Sequence, residues 1–124
     1  MSSENLYSFS RLKNALIALK QGALISKSEL EKDGVIQRFE FTFELFWKAL
    51  KFYLGDKGID YKSPKDCLKA AFKYGLIDNE QLHLDMLKDR NNTTHLCSKE
   101  EADIIYNNIK KNYIEALENF ISKL

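Results

Sequence analysis

The stretch Arg90-Asn91-Asn92-Thr93-Thr94-His95 sets an arginine and a histidine five positions apart, the closest pairing in this chain of a permanent cation with a proton carrier. A guanidinium grips phosphate or carboxylate with a planar fork of donors. An imidazole moves protons near neutral pH and serves as general base or general acid. Five residues of ideal helix, at about 100° each, leave two side chains roughly 140° apart, so one unbroken helix keeps them from acting together. Asn-Asn-Thr-Thr has poor helix propensity and good turn chemistry, which predicts a helix end among these residues. Past that end His95 can fold back toward Arg90, or meet the same pair from a second subunit. The competing reading is structural: Arg90 pairs with a nearby carboxylate, and His95 satisfies backbone groups in a turn.

The elements that must position this pair are helical. With one Pro and five Gly in 124 residues, the composition suits long helices better than a many-turned β fold. Five helices are predicted, and no strand. The first covers about Leu6 to Ile25, with Leu6, Phe9, Leu12, Leu16, Leu19 and Ala23 at helical spacing. Ser28 and Glu31 form a capping-box signature for a long second helix ending near Gly55 or Gly58. Ser63-Pro64 opens a third that Gly75 closes, and Asp78 with Gln81 opens a fourth that stops around Asn91. Ser98 and Glu101 cap a fifth, whose apolar face is Ile105, Ile109, Tyr113, Ala116 and Phe120. Short connections make this an all-α antiparallel up-and-down helical bundle, one domain over residues 1–124.

On a helical wheel of the second helix, Val35, Ile36, Phe39, Phe43, Phe46, Trp47, Leu50, Tyr53 and Leu54 fall in an arc about 120° wide, the core stripe. Phe41, Leu45 and Phe52 collect on another side. Two apolar stripes imply two burial partners, and a second copy of the chain is the expected cover for the second, which predicts a homodimer. A neighbouring helix of the same subunit is the alternative. Between the stripes runs a polar strip of Gln37, Glu40, Glu44, Lys48 and Lys51, with Glu44 and Lys48 in the favourable order for a helix ion pair. That strip reads either as a solvated face or as a groove able to orient Arg90 or a ligand's hydroxyls.

Several function classes drop out. A net charge of +1 lacks the clustered excess of Lys and Arg that coats nucleic acid, though it leaves room for a focused phosphate site. No run of about 18 apolar residues exists, so no membrane span is expected. Met1-Ser2-Ser3-Glu4 does not begin like a secretory signal, and Cys67 and Cys97 form no CxxC pair, so a reducing cytoplasm is the expected setting. His95 and Cys97 have no further ligands to complete a zinc set, and no metal is expected. No Gly-rich phosphate loop is present, and no cofactor is expected. Cys67 reads as a small buried hydrophobe, and the lone His83 as a partly exposed surface residue.

Three segments together, Gly34–Lys48, Ser63–Gly75 and Asp85–His95, resemble the nucleotidyltransferase substrate-binding protein family, a HepT-like branch of the HEPN superfamily. The resemblance covers about Ser28 to Leu124 well and the first helix in outline. It implies a dimerising helical bundle encoded beside a minimal nucleotidyltransferase, which it serves by holding the substrate. A second view of HepT-like members implies a metal-independent ribonuclease toxin acting on RNA, whose nucleotidyltransferase partner is the antitoxin, as in HepT/MntA-like pairs. By either view the matching positions are Arg90, Asn91 and His95, supported by Gln37, Glu40 and Glu44. HepT-like proteins usually follow the His with x-Tyr, the tyrosine that receives AMP; here the residues are His95-Leu96-Cys97.

Overall fold

The computed structural model describes residues 3–96 and 98–124, so Cys97, where the resemblance expects a tyrosine, lies outside the described residues. Helix α1 (Ser3–Ile25) packs along helix α2 (Glu29–Asp56). Bonds between them step backward along one chain as they step forward along the other. Thr42 Oγ1 donates to Ala15 O at 3.4 Å and Arg38 Nη1 to Ala18 O at 2.7 Å, so the pair is antiparallel. The predicted capping box starts α2: Glu31 N donates to Ser28 Oγ at 3.1 Å, and Ser28 N to Glu31 Oε1 at 3.0 Å.

Helix α3 (Pro64–Lys73) begins with the Ser63 hydroxyl accepting from Asp66 N at 3.2 Å and with Pro64 in its first turn. Gly75 ends it with φ of 79°, a left-handed conformation that side-chain-bearing residues resist. Helix α4 (Glu80–Asn92) is capped one residue later than predicted: Asn79 Oδ1, not Asp78, accepts from Leu82 N at 3.0 Å. That register turns His83 and Met86 inward, while Asp78 is engaged by Lys123 at the far end of the chain. A 3₁₀ turn, Thr93–His95, follows.

The predicted fifth helix exists but is not regular. Helix α5 (Lys99–Asn108), a π-helical turn (Ile109–Tyr113) and helix α6 (Ile114–Ser122) follow one another without a break. Ser98 caps it by accepting from Glu101 N at 3.2 Å. In the π turn, Ile114 N–H reaches back five residues to Ile109 O. Ring pairs Phe39–Tyr113 (5.5 Å) and Phe46–Phe120 (5.1 Å) advance together, so this rod runs parallel to α2. Phe9–Phe120 and Ser26–Tyr106 make it antiparallel to α1. The result is the expected all-helical up-and-down bundle, with no strand among the described residues.

Its core is close to the predicted one. Val35, Ile36, Phe39, Phe43, Phe46, Leu50 and Leu54 are buried, with Trp47 and Tyr53 packed at the edge. Three expectations need correction. His83 is buried, at 3% exposure, rather than a partly exposed surface residue, because the Asn79 cap turns it toward Phe46. Leu6 is exposed, one turn ahead of Phe9, where the buried α1 face begins. Leu45 does not belong to a free second stripe: it is buried, in a hollow where the small Ala15 and Ala18 of α1 leave it room. Phe41 and Phe52 remain exposed. Among the described residues no helix is long and apolar enough to cross a membrane.

Candidate functional site

Arg90 stands in the last turn of α4 and reaches across to α2. Its Nη2 donates to Glu44 Oε2 at 3.0 Å, and its Nη1 to the neighbouring Asn91 Oδ1 at 3.3 Å. Glu44 is held from its own helix as well. Trp47 Nε1 donates to Oε2 at 3.1 Å, and Lys48 Nζ lies 3.4 Å from Oε1, the predicted i,i+4 pair. Arg90 and Glu44 are each about one-third exposed, at 37% and 33%, so the pair belongs to the class worth only ~0.2–1 kcal/mol in stability. Its consequence is orientation. A guanidinium carries five N–H donors, and these contacts use one on each of two nitrogens, so the rest of the fork stays open to an acceptor from outside.

The helix end that Arg90 needs is built by the two threonines. Thr93 Oγ1 donates to Arg90 O at 2.7 Å and Thr94 Oγ1 to Asn91 O at 3.3 Å. These hydroxyls add to the satisfaction of the last-turn carbonyls, where the Thr93 backbone N–H also donates to Arg90 O and Asp89 O. The chain then tightens into the 3₁₀ turn, where each residue advances about 120° instead of 100°. His95 therefore ends roughly 190–200° around from Arg90. It lines a hollow of about 330 Å³ between α4 and α5, together with Asp89, Asn92, Leu96, Glu101 and Ile104. Within one protomer the two predicted residues thus face different neighbours, Arg90 toward α2 and His95 toward α5.

Of the supporting residues, the structure ties Asn91 and Glu44 directly to Arg90. Glu40, half-buried, and Gln37, exposed, lie farther up the same face of α2 and make no hydrogen bond or ion pair to it. No group of three or more His, Cys, Asp or Glu among the described residues could hold a metal ion.

Sequence reasoning missed the buried partners of this corner. Asp89 Oδ2 accepts from Tyr113 Oη at 2.5 Å and from Asn108 Nδ2 at 3.0 Å. Burial first, and then the Asp89 carboxylate, push the Tyr113 phenol well above its ordinary pKa, so it stays protonated and donates. A weak signal did exist. The apolar positions 105, 109 and 113 advance in steps of four, which overshoots the 3.6-residue turn and hints at a locally widened helix.

A bundle of this topology is the fold of a nucleotidyltransferase substrate-binding domain. The chain belongs to the family described as nucleotidyltransferase substrate binding protein like, whose model matches residues 7–124. It is similar to a crystal structure from Thermus thermophilus, at 35% identity and a TM-score of 0.84, covering 90% of this chain and 97% of that one. It also shares the fold of a Haemophilus influenzae protein described as a substrate binding domain of a nucleotidyltransferase. There the TM-score is 0.78 at 24% identity, over 92% of this chain and 96% of the other. A probable ribonuclease HepT from Haemophilus influenzae is 33% identical over 88 residues. That match takes in 67% of this chain and spans 60% of the relative's length.

Proposed function

We propose that this chain is the substrate-holding subunit of a two-component nucleotidyltransferase, a single cytoplasmic helical-bundle domain that works as a homodimer beside a separately encoded minimal catalytic partner. The family match across nearly the whole chain supports the class. The observation that carries the site is Arg90, held from one side by Glu44 and Asn91 with the rest of its fork free. Such a group receives a phosphate- or carboxylate-bearing acceptor and presents it to the partner's nucleotide. A second copy, seated over the exposed Phe41 and Phe52, is the expected cover for the remaining apolar face. The test is co-expression with the neighbouring minimal nucleotidyltransferase, followed by labelled-nucleotide transfer. Transfer by the pair, none by either chain alone, and loss of transfer on Arg90→Ala are the expected results. Transfer by the partner alone at the full rate refutes the role.

A second reading is favoured by the relative named as a probable ribonuclease and by the Arg90–His95 spacing. In a dimer, the His95 of one copy removes the ribose 2′-hydroxyl proton, and the 2′-oxygen forms a new bond to phosphorus. The bond from phosphorus to the 5′-oxygen breaks, and the partner subunit's histidine returns a proton to that oxygen. Arg90 stabilises the crowded phosphate, and no metal takes part. RNA cleavage by the isolated chain that disappears in His95→Ala, with fold and dimer intact, selects this reading. Silence of the isolated chain with activity of the pair selects the first.

A further inference from the structure

We propose that Asp89, Asn108 and Tyr113 form a positioning unit that locks the end of α4 to the last helix and thereby sets where Arg90 and His95 point. Asp89 is the residue immediately before Arg90, and it lines the same hollow as His95. It is tied to the last helix by two hydrogen bonds. Its Oδ2 accepts from Tyr113 at 2.5 Å and from Asn108 at 3.0 Å. Tyr113 is 2% exposed and stacks on Phe39 with ring centroids 5.5 Å apart and an interplanar angle of 21°, so the phenol has a rigid seat. A hydrogen bond to a charged group is worth about twice a neutral one, which suits a single carboxylate oxygen for holding a helix end.

The π turn explains how two donors from one helix reach that oxygen. Asn108 and Tyr113 are five residues apart, roughly 140° around a regular α-helix, and could not share a partner on one side of it. Widening to the i→i+5 register, marked here by Ile114 N–H bonding to Ile109 O, brings such positions onto one face. Such π turns recur at functional sites. This one costs regularity in the longest unbroken rod of the C-terminal half, and its visible product is the clamp on Asp89. The clamp's hydrogen bonds are separate from those of the Arg90 fork: Asn108 and Tyr113 donate to Asp89, whereas Arg90 donates to Glu44 and Asn91.

The clamp itself needs no ligand; its effect on function rests on the reading that Arg90 receives a phosphate-bearing one. The test uses the full chain with Tyr113→Phe, which deletes the hydroxyl and keeps the ring stack, and with Asn108→Ala at a half-buried position in case the first variant folds poorly. Amide hydrogen exchange is compared over Asn91–Leu96 and over the α1 and α2 core, and binding of a fluorescein-labelled single-stranded RNA decamer is followed by anisotropy. Exchange at Asn91–Leu96 is expected to quicken about tenfold or more, the factor for losing ~1.4 kcal/mol, with the core amides unchanged and decamer affinity down several-fold. Unchanged exchange at Asn91–Leu96, or equal quickening throughout the core, overturns the clamp. Quickened exchange with wild-type decamer affinity overturns its role in positioning. A wild-type chain that does not bind the decamer sinks the RNA reading of the Arg90 site, while the exchange data still decide the clamp.

Discussion

Replacing His83 by Phe should make the protein more stable and remove part of its sensitivity to acid. His83 is 3% exposed, tilted against Phe46 at 5.7 Å, and its Nδ1 lies 2.8 Å from Asn79 O. A carbonyl only accepts, so Nδ1 carries the proton and Nε2 is a bare acceptor, which is buried with no hydrogen-bond partner. Two terms oppose each other in the variant. Loss of the neutral Nδ1–H bond costs ~1 kcal/mol, softened because Asn79 O still accepts from the His83 backbone N at 3.3 Å. Removing an orphaned buried acceptor returns ~1–3 kcal/mol. The larger ring has somewhere to go, since His83 borders a cavity of about 280 Å³ floored by Leu82, Ala116 and Phe120. The net expectation is a gain of about 1 kcal/mol near neutral pH, or ~3–5 °C in melting temperature.

The acid limb gives the sharper test. Burial chiefly lowers the His83 pKa below its ordinary 6.5, with a small contribution from Lys123, against opposing pulls from the Asn79 carbonyl and Asp78. Well above pH 6.5 both folded and unfolded chains hold the ring neutral, and stability is flat with respect to this group. As pH falls below about 6.5 the unfolded chain takes up the proton first, so stability declines by up to ~1.36 kcal/mol per pH unit until the folded state protonates too. His95 and every carboxylate are common to both proteins and cancel in the difference. Thermal melts of the two proteins at about pH 7.5, 6.5, 5.5 and 5.0 should therefore diverge toward acid. Parallel melting curves across that range refute the assignment of a buried, neutral His83.

Three further outcomes follow from the same structure. Phe43→Ala empties a fully buried ring site between Phe39 and Phe46 and should cost ~3–5 kcal/mol, seen as a large drop in the urea midpoint; a shift below ~1 kcal/mol contradicts the packing. Gly75→Ala meets no atom within 4 Å, so its cost is the backbone's alone, ~1–2 kcal/mol for a residue at φ of 79°; an unchanged melting temperature contradicts that conformation. Glu44→Gln should change stability by less than ~1 kcal/mol yet lower nucleotide transfer by the pair about tenfold or more, because Arg90 loses its orientation; equal transfer by mutant and wild type refutes the orienting role.

What was legible in the sequence was whatever depends on neighbours within about one helical turn. Ser28, Ser63 and Ser98 announced their caps because a hydroxyl and the amide three residues on are local partners. The α2 core stripe was legible because periodicity reports one face at a time. Leu45 escaped because its cover, the small Ala15 and Ala18 of α1, depends on which helix packs where. His83 escaped for the same reason: a wheel places it in line with Leu87 and Arg90 but does not reveal Phe46 on the opposing helix. The Arg90–Glu44 bond joins positions 46 residues apart; the wheel left Glu44 open between a solvated face and a groove able to orient Arg90, and local spacing could not decide between them.

The interval of five residues links the legible part of the site to the hidden part. Arg90 to His95 and Asn108 to Tyr113 span the same number of positions, and a regular α-helix sets either pair roughly 140° apart. The chain resolves the two cases in opposite directions. After Arg90 the helix tightens into a 3₁₀ turn, which carries His95 still farther around, toward α5 and away from Glu44. After Asn108 it loosens into a π turn, which gathers both side chains onto Asp89. The tightened turn separates Arg90 from His95 within one protomer, so the proposed ribonuclease reading, which uses both on one ligand, needs a second copy. In the proposed clamp, the loosened turn holds Asp89, one turn ahead of the tightened one. On this account a change at Tyr113 acts on Arg90 and His95 together, whereas a change at Glu44 acts on Arg90 alone. Combining Tyr113→Phe with Glu44→Gln should therefore add nearly independently in amide exchange at Thr93–Leu96, yet show coupling in ligand binding.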